Sequence, residues 1–202
     1  MDPEPELVGI LLAAGNATRF GGEKLLHPLP DGVPVGVAAA ANLANALRKN
    51  IAVVRQADVA LTARLRTLGF DVVVNPAADT GMGTSMAVGV GAASDAAGWL
   101  IALADMPWIN TATIKEVGSR LAAGASVVAP VYEGKRGHPV GFSKKWCDQL
   151  LALSGDRGAQ GLVATAGDEV ELFDTQDPGV LLDVDHPRDI ASDHARFVGD
   201  DG

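Results

Sequence analysis

The chain has 202 residues, of which 48% are hydrophobic and 20% charged, and its formal net charge is −9 at pH 7. Length and composition predict one domain over residues 1–202 with a full apolar core and frayed tails at 1–6 and about 192–202, and they exclude disordered, coiled-coil and membrane-spanning chains. The acidic balance argues against a nucleic-acid partner, since contact with a phosphate backbone normally requires a basic surface.

The amino end is acidic and contains two prolines, unlike a secretory signal, and the chain has a single cysteine, so we expect a cytoplasmic protein.

Along the chain, β-rich runs alternate with alanine-rich stretches, which is typical of an α/β domain with a mostly parallel sheet. Strands are predicted over residues 7–12, 51–54, 71–75, 99–103, 126–130, 139–142, 170–173 and 180–184. Helices are predicted over residues 33–49, 57–68, 84–94, 111–123, 144–151 and 159–165. Functional residues are expected in the loops that follow strands.

The first predicted strand runs into a loop of small residues and two cations, in the sequence LVGILLAAGNATRFGGEK from Leu7 to Lys24. Small residues let backbone N–H groups approach a phosphate, and Arg19 and Lys24 can neutralise its charge. The segment has neither the GxxxxGK[ST] nor the GxGxxG pattern of the common phosphate loops. It predicts a nucleotide site of another type, with an ordinary turn and two surface cations as the alternative.

Two further loops follow predicted strands. In NPAADTGMGTS, from Asn75 to Ser85, Gly83 permits close approach, and the hydroxyls of Thr84 and Ser85 can meet a base or ribose. The alternative is a helix start preceded by a flexible turn. Asp105 emerges where a buried strand ends, which suits a metal ligand, although a turn-forming aspartate is the competing interpretation.

The carboxy-terminal half contains three polar segments. In GKRGHPVGF, the side chains of Arg136 and His138 suit an anionic acceptor, while Asp156 in GDRGA either closes over the site or caps a helix. In LLDVDHPRDI, Asp183 and Asp185 have extended spacing and are predicted to share one face of a strand, where paired carboxylates complete a metal site. An Asp-Pro turn without chemical function is the alternative.

These segments occur in the same order as the motifs of the MobA-like nucleotidyltransferases, and the chain resembles that family from Leu12 to Asp189. The matching patterns are L-A-A/G-G-x-x-x-R-x-G-x-x-K, G-x-G-x-S, R-G-H-P-x-x-F, G-D-x-G-A and D-x-D/N-T-P-E-D. The L-A-A-G and R-G-H-P segments are similar to the molybdenum cofactor cytidylyltransferase branch, also called molybdopterin cytosine dinucleotide synthase. The chain departs from the pattern with an extra Gly22, and with His186 and Arg188 in place of the usual Thr and Glu.

The resemblance implies a Rossmann-like three-layer α/β/α domain of the nucleotide-diphospho-sugar transferase type. It implies transfer of CMP from CTP to the terminal phosphate of molybdopterin with Mg²⁺, and a molybdoenzyme or its chaperone as a protein partner. Arg19, Lys24 and Asp105 would be catalytic. The nucleotide would be bound by Leu12, Ala13, Ala14, Gly15, Arg19, Lys24, Gly83, Thr84 and Ser85, the metal by Asp105 and Asp185, and the acceptor by Arg136, His138 and Asp156.

Three alternatives remain open at this stage. One is a relative that transfers GMP or uses another phosphorylated acceptor. Another is an NAD(P)H oxidoreductase of the nicotine blue type on the same scaffold. The third is a chaperone that binds and delivers the cofactor, for which the carboxylates of Asp105 and Asp185 would be dispensable.

Overall fold

A computed structural model describes residues 6–15, 19–155 and 158–190 of the chain. The strands are β1 (Leu7–Leu12), β2 (Lys49–Val54), β3 (Asp71–Val74), β4 (Gly98–Leu103), β5 (Val127–Tyr132), β6 (Lys135–Arg136), β7 (Val140–Ser143) and β8 (Val170–Asp174). The helices are α1 (Val35–Ala46), α2 (Val59–Thr67), α3 (Met82–Gly91), α4 (Thr111–Ala122), α5 (Cys147–Leu151) and α6 (Ala159–Ala166). Of the tails predicted to fray, residues 1–5 and 192–202 lie outside the described residues.

The strands form one sheet in the order β3-β2-β1-β4-β7-β5-β6, and β8 pairs with β5. β1, β2, β3 and β4 run parallel, as do β5 and β8, whereas β7 is antiparallel to β4 and β5, and β6 is antiparallel to β5. The predicted mostly parallel α/β sheet is therefore confirmed. In the described part of the chain, no helix is both long and apolar enough to cross a membrane.

Alternating side chains of the central strands supply two apolar layers, one on each face of the sheet. On β1, Ile10 packs in the cluster that contains residues of α3, α5 and α6, and Leu11 packs in the cluster that contains residues of α1, α2 and α4. Both side chains are 0% exposed. The protein thus has three layers, with helices covering both faces of the sheet.

The predicted strand over residues 180–184 is wrong, because residues Pro178–Leu181 form a 3-10 turn. The turn is capped by Asp177, whose Oδ1 accepts a hydrogen bond of 3.0 Å from Gly179 N. Asp177 Oδ2 also accepts hydrogen bonds from Asn110 N at 2.8 Å and from the hydroxyl of Thr113 at 2.7 Å, at the start of α4. A buried aspartate therefore joins the carboxy-terminal turn to a helix that follows β4.

Candidate active site

A cleft of about 510 Å³ opens at the carboxyl ends of the parallel strands β1, β2 and β4. This edge is where ligands bind in open α/β sheets, because the loops that follow the strands meet there. Residues from several loops and helix starts contribute to its walls. Among those predicted to be functional, the lining includes Leu12, Ala14, Gly15, Arg19, Lys24, Ser85, Asp105 and Asp185.

The small-residue loop after β1 is held between the two neighbouring strands. Ala13 N donates a hydrogen bond of 2.8 Å to Val53 O, and Ala104 N donates one of 3.1 Å to Leu12 O. Ala13 and Ala14 are buried, whereas Gly15 is exposed at the cleft. A Cβ added at Gly15 would meet no atom of the described residues within 4 Å, so these residues leave open space beside Gly15.

Three carboxylates converge on the same side of the cleft. One ligand oxygen from each of Asp105, Asp183 and Asp185 lies within 4.8 Å of the others. The backbone N–H of Val184 donates a hydrogen bond of 2.9 Å to Asp105 O, and the Val184 side chain is fully buried. Since side chains alternate in an extended segment, burial of Val184 turns the two flanking aspartates outward together. Asp183 thus joins the two metal ligands implied by the resemblance.

Both cations of the first motif contact these carboxylates. Lys24 Nζ lies 2.7 Å from Asp105 Oδ2 and 3.8 Å from Asp185 Oδ1, and Arg19 Nη1 lies 2.7 Å from Asp185 Oδ2. The Lys24 side chain is only 11% exposed, whereas that of Arg19 is 72% exposed. Screening by solvent is therefore weaker for the lysine pair than for the arginine pair.

The third carboxylate has a different environment. Burial raises the pKa of Asp183, and the negative charges of Asp105 and Asp185 raise it further. Within the described ranges, no lysine, arginine or histidine forms an ion pair with Asp183. The cluster is therefore short of positive charge on its Asp183 side, and a divalent cation would reverse the direction of this pKa shift.

Most of the polar side chains in the loop before α3 form hydrogen bonds within that loop and the start of the helix. Asn75 Nδ2 donates hydrogen bonds to the hydroxyl oxygens of Thr84 at 3.1 Å and Ser85 at 3.0 Å, and the Thr84 hydroxyl donates to Gly81 O at 2.8 Å. Gly83 N donates to the carbonyl of Gly155 at 2.8 Å. Ser85 lines the cleft, whereas Gly83 and Thr84 are not among its lining residues in the described part of the chain. Asn75, which the motif analysis missed, positions both hydroxyls.

Two of the predicted acceptor residues, Arg136 and His138, are not among the residues that line the cleft. Arg136 is exposed on β6, and His138 N donates a hydrogen bond of 3.0 Å to Val180 O. The His138 ring nitrogen Nδ1 is buried and has no hydrogen-bond partner among the described residues. The pKa of His138 is lowered to about 4, chiefly by burial and also by the charge of Arg136, while the charge of Asp105 opposes both effects. The imidazole is thus neutral at pH 7. Asp156 lies outside the described residues.

The opposite wall of the cleft contains an ion pair and apolar side chains that sequence inspection also missed. Arg55, directly after β2, donates from Nε and Nη2 to the two carboxylate oxygens of Asp58, each at 3.1 Å. Val59 and Met82, which also line the cleft, are 73% and 47% exposed. The sequence did contain a signal for Arg55, because it is a cation at the carboxyl end of a parallel strand. The cleft therefore suits a ligand with an anionic end and a flat or apolar end.

Comparison with known proteins gives matches over most of the chain. A family model, the MobA-like NTP transferase domain, matches residues 9–170. The nicotine blue oxidoreductase of Paenarthrobacter nicotinovorans is 30% identical over 189 residues, which cover 90% of this chain and 93% of that protein. The crystal structure of Rv0371c from Mycobacterium tuberculosis H37Rv has a TM-score of 0.79 at 28% identity and covers 96% of this chain and 98% of that one. The complex of Rv0371c with manganese has a TM-score of 0.76 at 27% identity, with 96% and 99% covered.

Proposed function

Because the chain belongs to the MobA-like NTP transferase family, we propose that it transfers CMP from CTP to the terminal phosphate of molybdopterin and releases pyrophosphate. The observation that carries this proposal is the meeting of Lys24 with Asp105 and Asp185 beside the small-residue loop after β1. A nucleotidyl transfer requires a phosphate-binding turn, cations and a metal-binding carboxylate group at one place. The cleft is lined by a turn of small residues, by Arg19 and Lys24 and by carboxylates of the cluster, and this combination supports the proposal.

The carboxylate cluster fits a hard divalent cation. Asp105, Asp183 and Asp185 offer oxygen ligands within 4.8 Å of one another, and carboxylates are the protein ligands that Mg²⁺ and Mn²⁺ prefer. A relative, Rv0371c, has been crystallised with manganese, and for this chain we propose Mg²⁺. When bound, such an ion supplies positive charge that attracts a triphosphate and stabilises the negative charge that develops during transfer.

The residues of the chain would act by binding and orientation. Lys24 and Arg19 bind the triphosphate oxygens, and the backbone N–H groups of Ala14 and Gly15 approach the nucleotide. The N–H of Ala13 is not available for this, because it donates to Val53 O. An oxygen of the acceptor phosphate forms a bond to the α-phosphorus of CTP as the bond from that phosphorus to the β-phosphate oxygen breaks. Pyrophosphate leaves with the bonding electron pair. The attacking phosphate is already anionic, so no protein nucleophile or general base is needed, and in-line placement with charge neutralisation suffices.

The choice of CTP and of the acceptor rests on separate residues. Ala14 lines the cleft, where a methyl group occupies space that a glycine would leave to a larger base, and this supports a pyrimidine. Ser85 faces the same cleft and offers a hydroxyl to the nucleoside. For the acceptor, we propose the guanidinium of Arg136, the neutral imidazole of His138 and the carboxylate of Asp156.

A second candidate is an oxidoreductase activity with NAD(P)H, favoured by the 30% identity to a nicotine blue oxidoreductase. The three converging carboxylates count against it, because they repel the diphosphate of a dinucleotide that binds without a metal ion. Transfer of GMP, or transfer to another phosphorylated acceptor, would use the same cleft. The nucleotide and acceptor must therefore be separated by assay.

The test is pyrophosphate release by the full chain with molybdopterin and Mg²⁺, measured separately with CTP, GTP, ATP and UTP. We expect turnover with CTP, and at least about a hundredfold loss of kcat in an Asp105→Asn variant because a metal-binding charge is removed. Asp95→Asn makes the same chemical change at an exposed aspartate that precedes β4, near the amino end of that strand and away from the cleft. This variant should keep wild-type activity. Equal turnover of GTP would refute the cytidylyl assignment. Oxidation of NAD(P)H without any pyrophosphate release would favour the second candidate.

A further inference from the structure

Lys24 contacts two of the three carboxylates in the cluster. Its Nζ lies between Asp105 and Asp185, at 2.7 Å and 3.8 Å, and Arg19 contacts the other oxygen of Asp185 at 2.7 Å. The oxygens that would hold a divalent cation are thus already in contact with the cations that would hold the phosphates. An ammonium group hydrogen-bonded to Asp105 Oδ2 and a metal ion bound to the same oxygen would repel each other strongly.

We infer that Lys24 is the counter-ion of the carboxylate cluster in the nucleotide-free protein, and that a divalent cation binds by displacing it. The identity of the metal and the use of a triphosphate rest on the proposed function, whereas the exchange itself follows from the ion-pair geometry. Lys24 is a positioning residue in this role, because it keeps the aspartates in place until the metal arrives.

The burial of Lys24 makes this exchange energetically significant. Its side chain is 11% exposed and that of Asp105 is 26% exposed, so solvent screens their interaction less than it screens the Arg19 pair. Without a cation, three carboxylates this close would repel one another. Binding of a free metal ion therefore includes the loss of a well-formed ion pair, and the apparent affinity for the ion alone is reduced.

Asp183 gives the incoming ion a ligand that Lys24 does not occupy. The carboxylate of Asp183 lies within 4.8 Å of the other two and forms no ion pair within the described ranges. A cation can therefore contact Asp183 before the Lys24 pairs are broken. The exchange then needs no intermediate in which all three carboxylates lack a counter-ion.

A bound triphosphate would replace the ion pairs that Lys24 and Arg19 lose in the exchange. Once Lys24 and Arg19 leave the aspartates, phosphate oxygens offer them new anionic partners. The metal and the nucleotide should consequently bind with positive coupling, each raising the affinity of the other by the same factor. The ion alone should bind weakly and the metal–nucleotide complex tightly.

The test is a titration of the full chain with Mn²⁺ and no nucleotide, in which free Mn²⁺ is followed by electron paramagnetic resonance. We expect Lys24→Gln to bind Mn²⁺ at least about fivefold more tightly than the wild type, because a neighbouring positive charge has been removed. Lys145→Gln is the matched control. Lys145 forms an ion pair with Glu169 and follows β7 in the chain. The last residue of β7, Ser143, is paired with Gly98, the first residue of β4, so Lys145 lies at the amino end of β4, away from the cleft. Its variant should bind Mn²⁺ within about twofold of the wild type.

A second measurement observes the displaced group in the wild-type protein. In ¹⁵N-lysine-labelled protein, the Lys24 ammonium resonance is identified by its loss in Lys24→Gln. It should shift during titration with Mg²⁺ alone and saturate together with metal binding. An unmoved Lys24 resonance at saturating Mg²⁺, or Mn²⁺ affinity in Lys24→Gln that is unchanged or weaker, would overturn the exchange even if CTP turnover were observed. Absence of turnover with every nucleotide would refute the proposed function and leave both titrations interpretable.

Discussion

The backbone N–H of Val184 donates a hydrogen bond of 2.9 Å to the carbonyl oxygen of Asp105, and this contact fastens the carboxy-terminal segment to the end of β4. Because Val184 is buried, the carboxylates of Asp183 and Asp185 on either side of it lie together near that of Asp105. The arrangement of the carboxylate cluster therefore depends on how the segment that precedes Val184 is packed.

Gly179 is packed directly against the backbone that leads to α4. A Cβ at this position would lie 2.2 Å from Trp108 O and 2.5 Å from Trp108 C, so Gly179→Ala requires the backbone to move. We expect a loss of about 1–3 kcal/mol in the free energy of unfolding, measured by urea denaturation, and weaker binding of Mn²⁺. Gly161→Ala in α6 is the control, because no atom of the described residues lies within 4 Å of its added Cβ. That variant should be slightly stabilised by helix propensity.

Asp177 holds the 3-10 turn and the start of α4 together through three hydrogen bonds. It is 3% exposed, so Asp177→Ala leaves buried donors without an acceptor. We expect the free energy of unfolding to fall by about 2–4 kcal/mol in chemical denaturation. Asp168→Ala, at an exposed aspartate, should change it by less than about 0.5 kcal/mol. Equal effects of the two substitutions would show that the hydrogen bonds of Asp177 contribute little.

His138 should make stability depend on pH. Its pKa is lowered by burial to about 4, from an ordinary value of 6.5, so the unfolded chain binds the proton more readily than the folded protein does. The free energy of unfolding should therefore fall as the pH drops from about 6.5 towards 4, by about 2 kcal/mol between pH 7 and pH 5. Urea denaturation at the two pH values measures this loss.

Two variants isolate the contribution of His138. His138→Gln should reduce the loss of stability between pH 7 and pH 5 by about 2 kcal/mol. His27→Gln, at an exposed histidine, should keep the pH dependence of the wild type. The same pH dependence in all three proteins would contradict the neutral, buried state of the His138 ring.

Asn75 should control the order of the loop before α3. Its side chain donates to the hydroxyls of Thr84 and Ser85 and accepts from Ala77 N at 2.9 Å. We expect Asn75→Ala to lower the free energy of unfolding by about 1–3 kcal/mol and to weaken binding of CTP in calorimetric titration. Asn45→Ala, at an exposed position of α1, serves as the control and should leave both quantities nearly unchanged. Wild-type CTP affinity in Asn75→Ala would show that the loop does not contact the nucleoside.

Local patterns in the sequence were sufficient for the sheet and for the loops that carry the site. β-rich runs and alanine-rich stretches correctly predicted β1 to β5, β7 and β8 and all six long helical segments, with boundaries displaced by a few residues. The two-residue strand β6 was missed, since Lys135 and Arg136 have no apolar alternation. The antiparallel direction of β7 depends on pairing with β4 and β5, which a local pattern does not specify.

The sequence by itself determined which chemical groups stand at the ends of the strands: small residues and two cations after β1, and an aspartate after β4. Only the tertiary structure decided how they are used. It folded residues 178–181 into a 3-10 turn, paired Lys24 with Asp105 and Asp185, used the Thr84 hydroxyl in a hydrogen bond to Gly81 O and buried His138 Nδ1. The physical reason is that these outcomes depend on hydrogen bonds and ion pairs between distant segments. Lys24 and Asp105 are 81 residues apart, and Asn110 and Asp177 are 67 apart, so neither contact leaves a trace in the local periodicity of the chain.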